Sequence, residues 1–72
     1  MESVNRIISS TIEQLEATAQ RIERAEKSRE KHIRNCAIRG VEPALSIKDE
    51  RRDLRTVRVM VRNCIDRVQG VR

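Results

Sequence analysis

Hydrophobic positions along this chain recur every three to four residues through two long stretches, and nowhere do they alternate with the period of two that a strand requires. In the first stretch Met1, Asn5, Ile8, Ile12, Leu15, Ala19, Ile22, Glu26, Arg29, Ile33 and Cys36 follow a 4,3 spacing, widened by Val4, Ile7, Ala25 and Ala37. On a helix these residues share one face, so an amphipathic helix one is predicted over about 3–38. Ser3 offers a cap at its start, and Ser10 with Glu13 gives a second box-like signal. The end is better marked: Arg34 and Arg39 fall in the last turns, Gly40 can take a left-handed cap, and Pro43 lies just beyond.

The second stretch places Ile47, Leu54, Val57, Val61, Cys64, Val68 and Val71 on one apolar stripe. Ser46 can cap it, Asp49 and Glu50 favour the positive end of its dipole, and Gly70 ends the pattern, so helix two is predicted over about 47–70. The intervening turn, about 39–46, is too short to separate domains, and the chain is read as a single all-α antiparallel helical hairpin. With the turn centred near residues 42 and 43, position i stands opposite roughly 85 minus i. Each apolar face is only half covered in a lone hairpin, most of all at the open end, where Val4 to Leu15 meets Val61 to Val71. Dimerisation into a four-helix bundle through that end is the natural remedy.

Composition strengthens that expectation. The 72 residues are 38% hydrophobic and 38% charged and contain no Phe, Tyr or Trp, a poor supply for a self-sufficient core. Cys36 and Cys64 lack the spacing of a zinc site, and the hairpin register sets them about 22 Å apart, too far for a disulfide. Both read as small packing groups in a reducing compartment. No run approaches the roughly 20 apolar residues of a membrane span, and MESVNRIISS lacks the apolar core of a signal peptide, so a soluble, cytoplasmic protein is expected.

Charge adds a functional clue. The net charge is +5, and 13 of the 16 basic residues are Arg, whose planar fork suits phosphate. Lys48, Arg51, Arg55, Arg58 and Arg62 recur at spacings of three and four, forming a cationic stripe about 21 Å long beside the apolar one. Helix one adds Arg21, Arg24, Lys27, Lys31 and Arg34 near one face. Lys48, Arg51, Arg55, Arg58 and Arg62, with Arg24, Lys31 and Arg34, are therefore the candidate nucleic-acid contacts. Catalysis finds no such support. His32 has Ser28, Arg29, Asn35 and Cys36 as its helical neighbours and no carboxylate to orient it, Glu13 with Glu16 and Glu26 with Glu30 lie on charged faces, and no glycine-rich loop exists. The expectation is a protein that is not an enzyme and needs no metal, cofactor or small-molecule substrate.

The missing aromatics also say which nucleic acid. Single-strand binders stack bases on aromatic rings, and DNA-reading helix-turn-helix units use short helices, whereas a rigid bundle face suits double-stranded RNA read by shape. In ERRDLRTVRVMVRNCIDRV, the run Arg51, Arg52, Asp53 and Leu54 opens a helix carrying the Val57, Val61, Cys64, Val68 and Val71 seam. This segment resembles the second helix of the small RNA-silencing suppressor of nodaviruses. The resemblance implies an all-α homodimer, a four-helix bundle that lies on double-stranded RNA regardless of sequence and shields it. Asn63, Ile65 and Gly70 stand near positions where that family places later RNA-facing cations, which would move the contacts here to Arg55, Arg58 and Arg62. Two rivals stand beside this reading: a coiled-coil oligomerisation module whose charges only keep it solvated, and a small regulator that takes another protein's helix at the apolar end.

Overall fold

The computed structural model describes residues 3–71 and consists of two antiparallel helices, α1 (Val4–Ile38) and α2 (Leu45–Gln69). Ser3 holds an extended backbone and its hydroxyl accepts the Arg6 amide at 3.2 Å, the capping that the sequence offered. Where α1 ends, the Gly40 amide donates to the Ala37 carbonyl at 3.1 Å and the Val41 amide to the Cys36 carbonyl at 2.8 Å. This pair of bonds defines a Schellman turn, which demands a left-handed residue, and Gly40 supplies it with φ of 70°.

The start of α2 differs from its prediction. The helix begins at Leu45 rather than Ile47, with Ala44 as the capping residue and no side-chain cap. The Ala44 carbonyl accepts from the amides of Ile47 at 3.0 Å and Lys48 at 3.4 Å, so backbone alone closes the first turn and Ser46 lies inside it. Asp49 and Glu50 consequently serve as ion-pair partners, Asp49 for Arg52 at 3.3 Å and Glu50 for Arg29 at 3.3 Å. Gly70 caps the other end with an ordinary helical φ of −66°.

The expected register holds on one side, where Glu23 meets Arg62 as that rule places it and Glu26 meets Arg58 one position away, whereas Arg29 reaches Glu50, six positions from the expected Thr56. The α1 seam is as read from Ile8 onward, with Ile12, Ala19 and Glu26 buried and Ile8, Leu15, Ile22, Arg29, Ile33 and Cys36 half-buried, whereas Asn5 and the widening positions Val4, Ile7 and Ala37 are exposed because α2 does not cover that side of α1. Met1 lies outside the described residues. The α2 seam requires a correction. Leu54, Arg58, Val61, Ile65 and Val68 face α1, while Val57, Cys64 and Val71 from the expected stripe are exposed. Ile65, absent from that stripe, is buried to 4% exposure and joins Ile12 and Ala19 in the core. Helix two is thus turned toward its basic edge, because Glu26 occupies a seam position of α1 and a buried carboxylate requires a cation opposite.

Packing along the hairpin is graded. The apolar cluster, Ile12, Ala19 and Ile65 ringed by Ile8, Leu15, Val61 and Val68, occupies the open half, and ion pairs hold the half nearer the turn. Ile65→Ala should therefore lower stability by about 2 to 5 kcal/mol, against about 1 kcal/mol or less for Cys64→Ala. Urea unfolding followed by circular dichroism ranks the two, and the reverse order would restore the seam expected from sequence.

Candidate nucleic-acid interface

The two sides of the hairpin differ in chemistry. On one, shallow grooves flank Leu54: Thr18, Arg21, Ile22 and Ala25 line the first, and Arg29, Glu50, Asp53 and Val57 the second. The hydroxyls of Thr11 and Thr18 donate back to the Ile7 and Gln14 carbonyls at 2.9 and 3.0 Å, so these threonines ask for no outside partner. On the opposite side Glu23, Glu26, Lys27, Glu30 and Arg58 surround a polar depression.

The cationic stripe of α2 borders that polar side, and α1 neutralises its distal half. Arg58 Nε donates to Glu26 Oε2 at 2.7 Å, with Glu26 only 9% exposed, and Arg62 Nη2 reaches Glu23 Oε1 at 2.8 Å. The bond from Arg62 holds the Glu23 carboxyl below its ordinary value, and the bond to Glu26 pushes the Arg58 guanidinium further up. Nearer the turn the stripe is open. Lys48 has only the highly exposed Glu42 at 3.5 Å, and Arg51 and Arg55 are exposed with no acid in ion-pair range among the described residues.

The α1 candidates are divided by the helix itself. Arg34 follows the half-buried Ile33 by one residue, about 100° from the seam, and by the hairpin register stands opposite Arg51. Lys31 and Arg24 lie about 140° and 160° from Glu26, on the outer surface away from α2. The five cations of helix one do share one face, an arc of about 140° that runs from Arg21 at the edge of the apolar side, through the outward Arg24 and Lys31, to Lys27 and Arg34 toward the polar side. Lys48, Arg51 and Arg55 form the open part of the α2 stripe with Arg34 toward the same side of α1, Arg58 and Arg62 are engaged internally, and Arg24 and Lys31 point outward from α1.

Sequence reasoning missed the acidic edge that engages Arg58 and Arg62. The signal was present: Glu16, Glu23 and Glu30 recur every seven residues, and the register rule assigns Glu23 to Arg62 and Glu30 to Arg55, of which only the first forms an ion pair among the described residues. Elsewhere, Cys36 Sγ lies 3.7 Å from His32 Nε2 within one turn, and no three His, Cys, Asp or Glu side chains converge on a metal site among the described residues. Neither described helix is long and apolar enough to cross a membrane. No protein-family model, curated protein or solved structure matches the chain.

The depressed Glu23 carboxyl carries a pH signature. Its contribution to stability is fully present above its ordinary value of 4.5 and is lost as pH falls through the lower folded-state value. Thermal unfolding across this range should show Glu23→Gln with a shallower acid dependence than the parent; parallel curves would mean that the Arg62 bond does not persist in solution.

Proposed function

We propose that this chain is a homodimeric helical hairpin that binds double-stranded RNA without reading its sequence, acting by coverage rather than by catalysis. The observation that carries this reading is the open cationic end of the stripe, Arg51 and Arg55 with Lys48 and Arg34, where no acid of α1 satisfies the two α2 arginines. Adjacent guanidinium groups without carboxylates favour a polyanion, and cations held on rigid helices at fixed spacing suit a regular backbone. The chain's lack of aromatic rings turns the choice away from single strands. Together with the likeness of helix two to the nodavirus suppressors, this supports a role in shielding duplex RNA from silencing enzymes.

The dimer rests on surface. A globular protein of 8.4 kDa exposes about 4,600 Å² by mass scaling, whereas this hairpin, 58 Å long and 15 Å by 14 Å across, exposes 5871 Å². The excess, about 1,300 Å² per chain, is larger than the roughly 800 Å² per partner that a standard interface removes, and the apolar side, with Val4, Ile7, Val57 and Met60 exposed, is where a second copy fits. The rival oligomerisation module draws support from the internal pairing of Arg58 and Arg62, which spends those charges on the fold.

Mobility shifts with duplex RNA, duplex DNA and single-stranded RNA of equal length at two salt concentrations separate the readings. Duplex RNA should bind best, and Arg51→Ala with Arg55→Ala should weaken every duplex sequence alike, reducing the slope of log affinity against log salt by up to about 4 per dimer. A parent that ignores duplex RNA leaves the oligomerisation module standing.

The assembly has its own check. Val57 is 44% exposed in the hairpin, so Val57→Asp should leave a lone hairpin intact and disrupt a dimer. Sedimentation should find the parent dimeric and Val57→Asp dissociated; a parent that is a fully helical monomer at micromolar concentration defeats the dimer.

A further inference from the structure

Five cations share the α2 stripe, yet they are not equally available to an anion. Arg62 is 45% exposed and sterically open, but its guanidinium is engaged by Glu23 at 2.8 Å, and Arg58 beside it is engaged by Glu26 at 2.7 Å. Glu23 is itself 36% exposed, so a phosphate approaching Arg62 meets a carboxylate at the same place. Glu30 completes an acidic edge seven residues further along, lining the depression with Glu23 and Glu26.

We propose that this edge is a built-in counter-ion that withholds Arg58 and Arg62 from phosphate, confining the RNA footprint to Lys48, Arg51, Arg55 and Arg34 at the turn end. The inference rests on the RNA-binding reading and deepens it. A charge-assisted bond within hydrogen-bonding distance already satisfies each withheld guanidinium, so exchanging the carboxylate for a phosphate gains little and leaves an acid facing the backbone. At the turn end Arg51 and Arg55 are exposed with no acid in ion-pair range among the described residues, so their guanidinium groups remain open to a phosphate. Glu23 is then the residue that sets the extent of the footprint, and neutralising it frees Arg62.

The test compares Glu23→Gln, Arg62→Ala, the two combined, and Arg55→Ala by duplex-RNA binding across a salt series, each variant first shown to be helical and of parental sedimentation. Arg55→Ala should weaken binding and Arg62→Ala should not. Glu23→Gln should tighten binding at low salt and steepen the salt slope by about 1 per subunit, or about 2 per dimer. Between 50 and 200 mM salt that added slope means roughly tenfold more affinity lost than by the parent. The combined variant should return to parental behaviour, which assigns the gain to Arg62. The inference fails if Arg62→Ala weakens binding as Arg55→Ala does, if Glu23→Gln leaves the slope unchanged, or if its gain persists without Arg62. Those results leave the RNA-binding reading intact. A parent that binds no duplex RNA overturns both.

Discussion

The contact between Glu26 and Arg58 decides how the rest of the molecule is arranged. Glu26 sits at a seam position between Ala19 and Ile33, where its carboxylate is almost wholly removed from water. Such a group is tolerated only with a cation in direct contact, and the single cation that the register brings into the α2 seam is Arg58. Meeting that requirement fixes the rotation of α2 about its own axis. Ile65, seven residues beyond Arg58, is carried into the core by the same turn, and Val57 and Cys64 are carried out of it.

From that rotation come two unlike sides. Helix two carries more apolar surface than α1 can cover, and uncovered residues such as Val57 lie on the side opposite the pairs of Glu23 with Arg62 and Glu26 with Arg58. The cations go the other way, onto an edge where α1 answers two of them with acids and leaves the turn-proximal ones without. Apolar packing at the open end and ionic contacts toward the turn divide the work of holding the hairpin. Salt should accordingly loosen the two ends unequally, since apolar packing is indifferent to ionic screening and exposed pairs such as Arg29 with Glu50 are not.

Much of this was legible in the residues. The length of α1, its seam from Ile8 to Cys36, the Ser3 start, the Gly40 turn and the antiparallel pairing of the helices follow from spacing, because a single narrow stripe has one way to face a partner. The rotation of α2 was not legible from hydrophobicity. Its stripe and its basic edge adjoin, Ile65 lies one residue beyond Cys64, and either edge satisfies a 3.6-residue repeat. What breaks the tie is a polar residue on the other helix, a long-range term that local pattern reading does not weigh. The start of α2 failed for a related reason: Ser46 is a good cap in isolation, but the turn leaving Pro43 lets the Ala44 carbonyl begin the helix earlier. As for the candidate interface, the cations of α2 were found as a stripe, while their unequal availability depended on the acids of α1.

Gly40 shows how little room has to do with its requirement. A methyl group added there would meet nothing within 4 Å, so the turn is not crowded and the position is closed to other residues only by φ of 70°. The constraint is one of handedness. An L-alanine would be strained by roughly 1–2 kcal/mol in that conformation. Its mirror image, D-alanine, would sit there at ease and stiffen the unfolded chain as well.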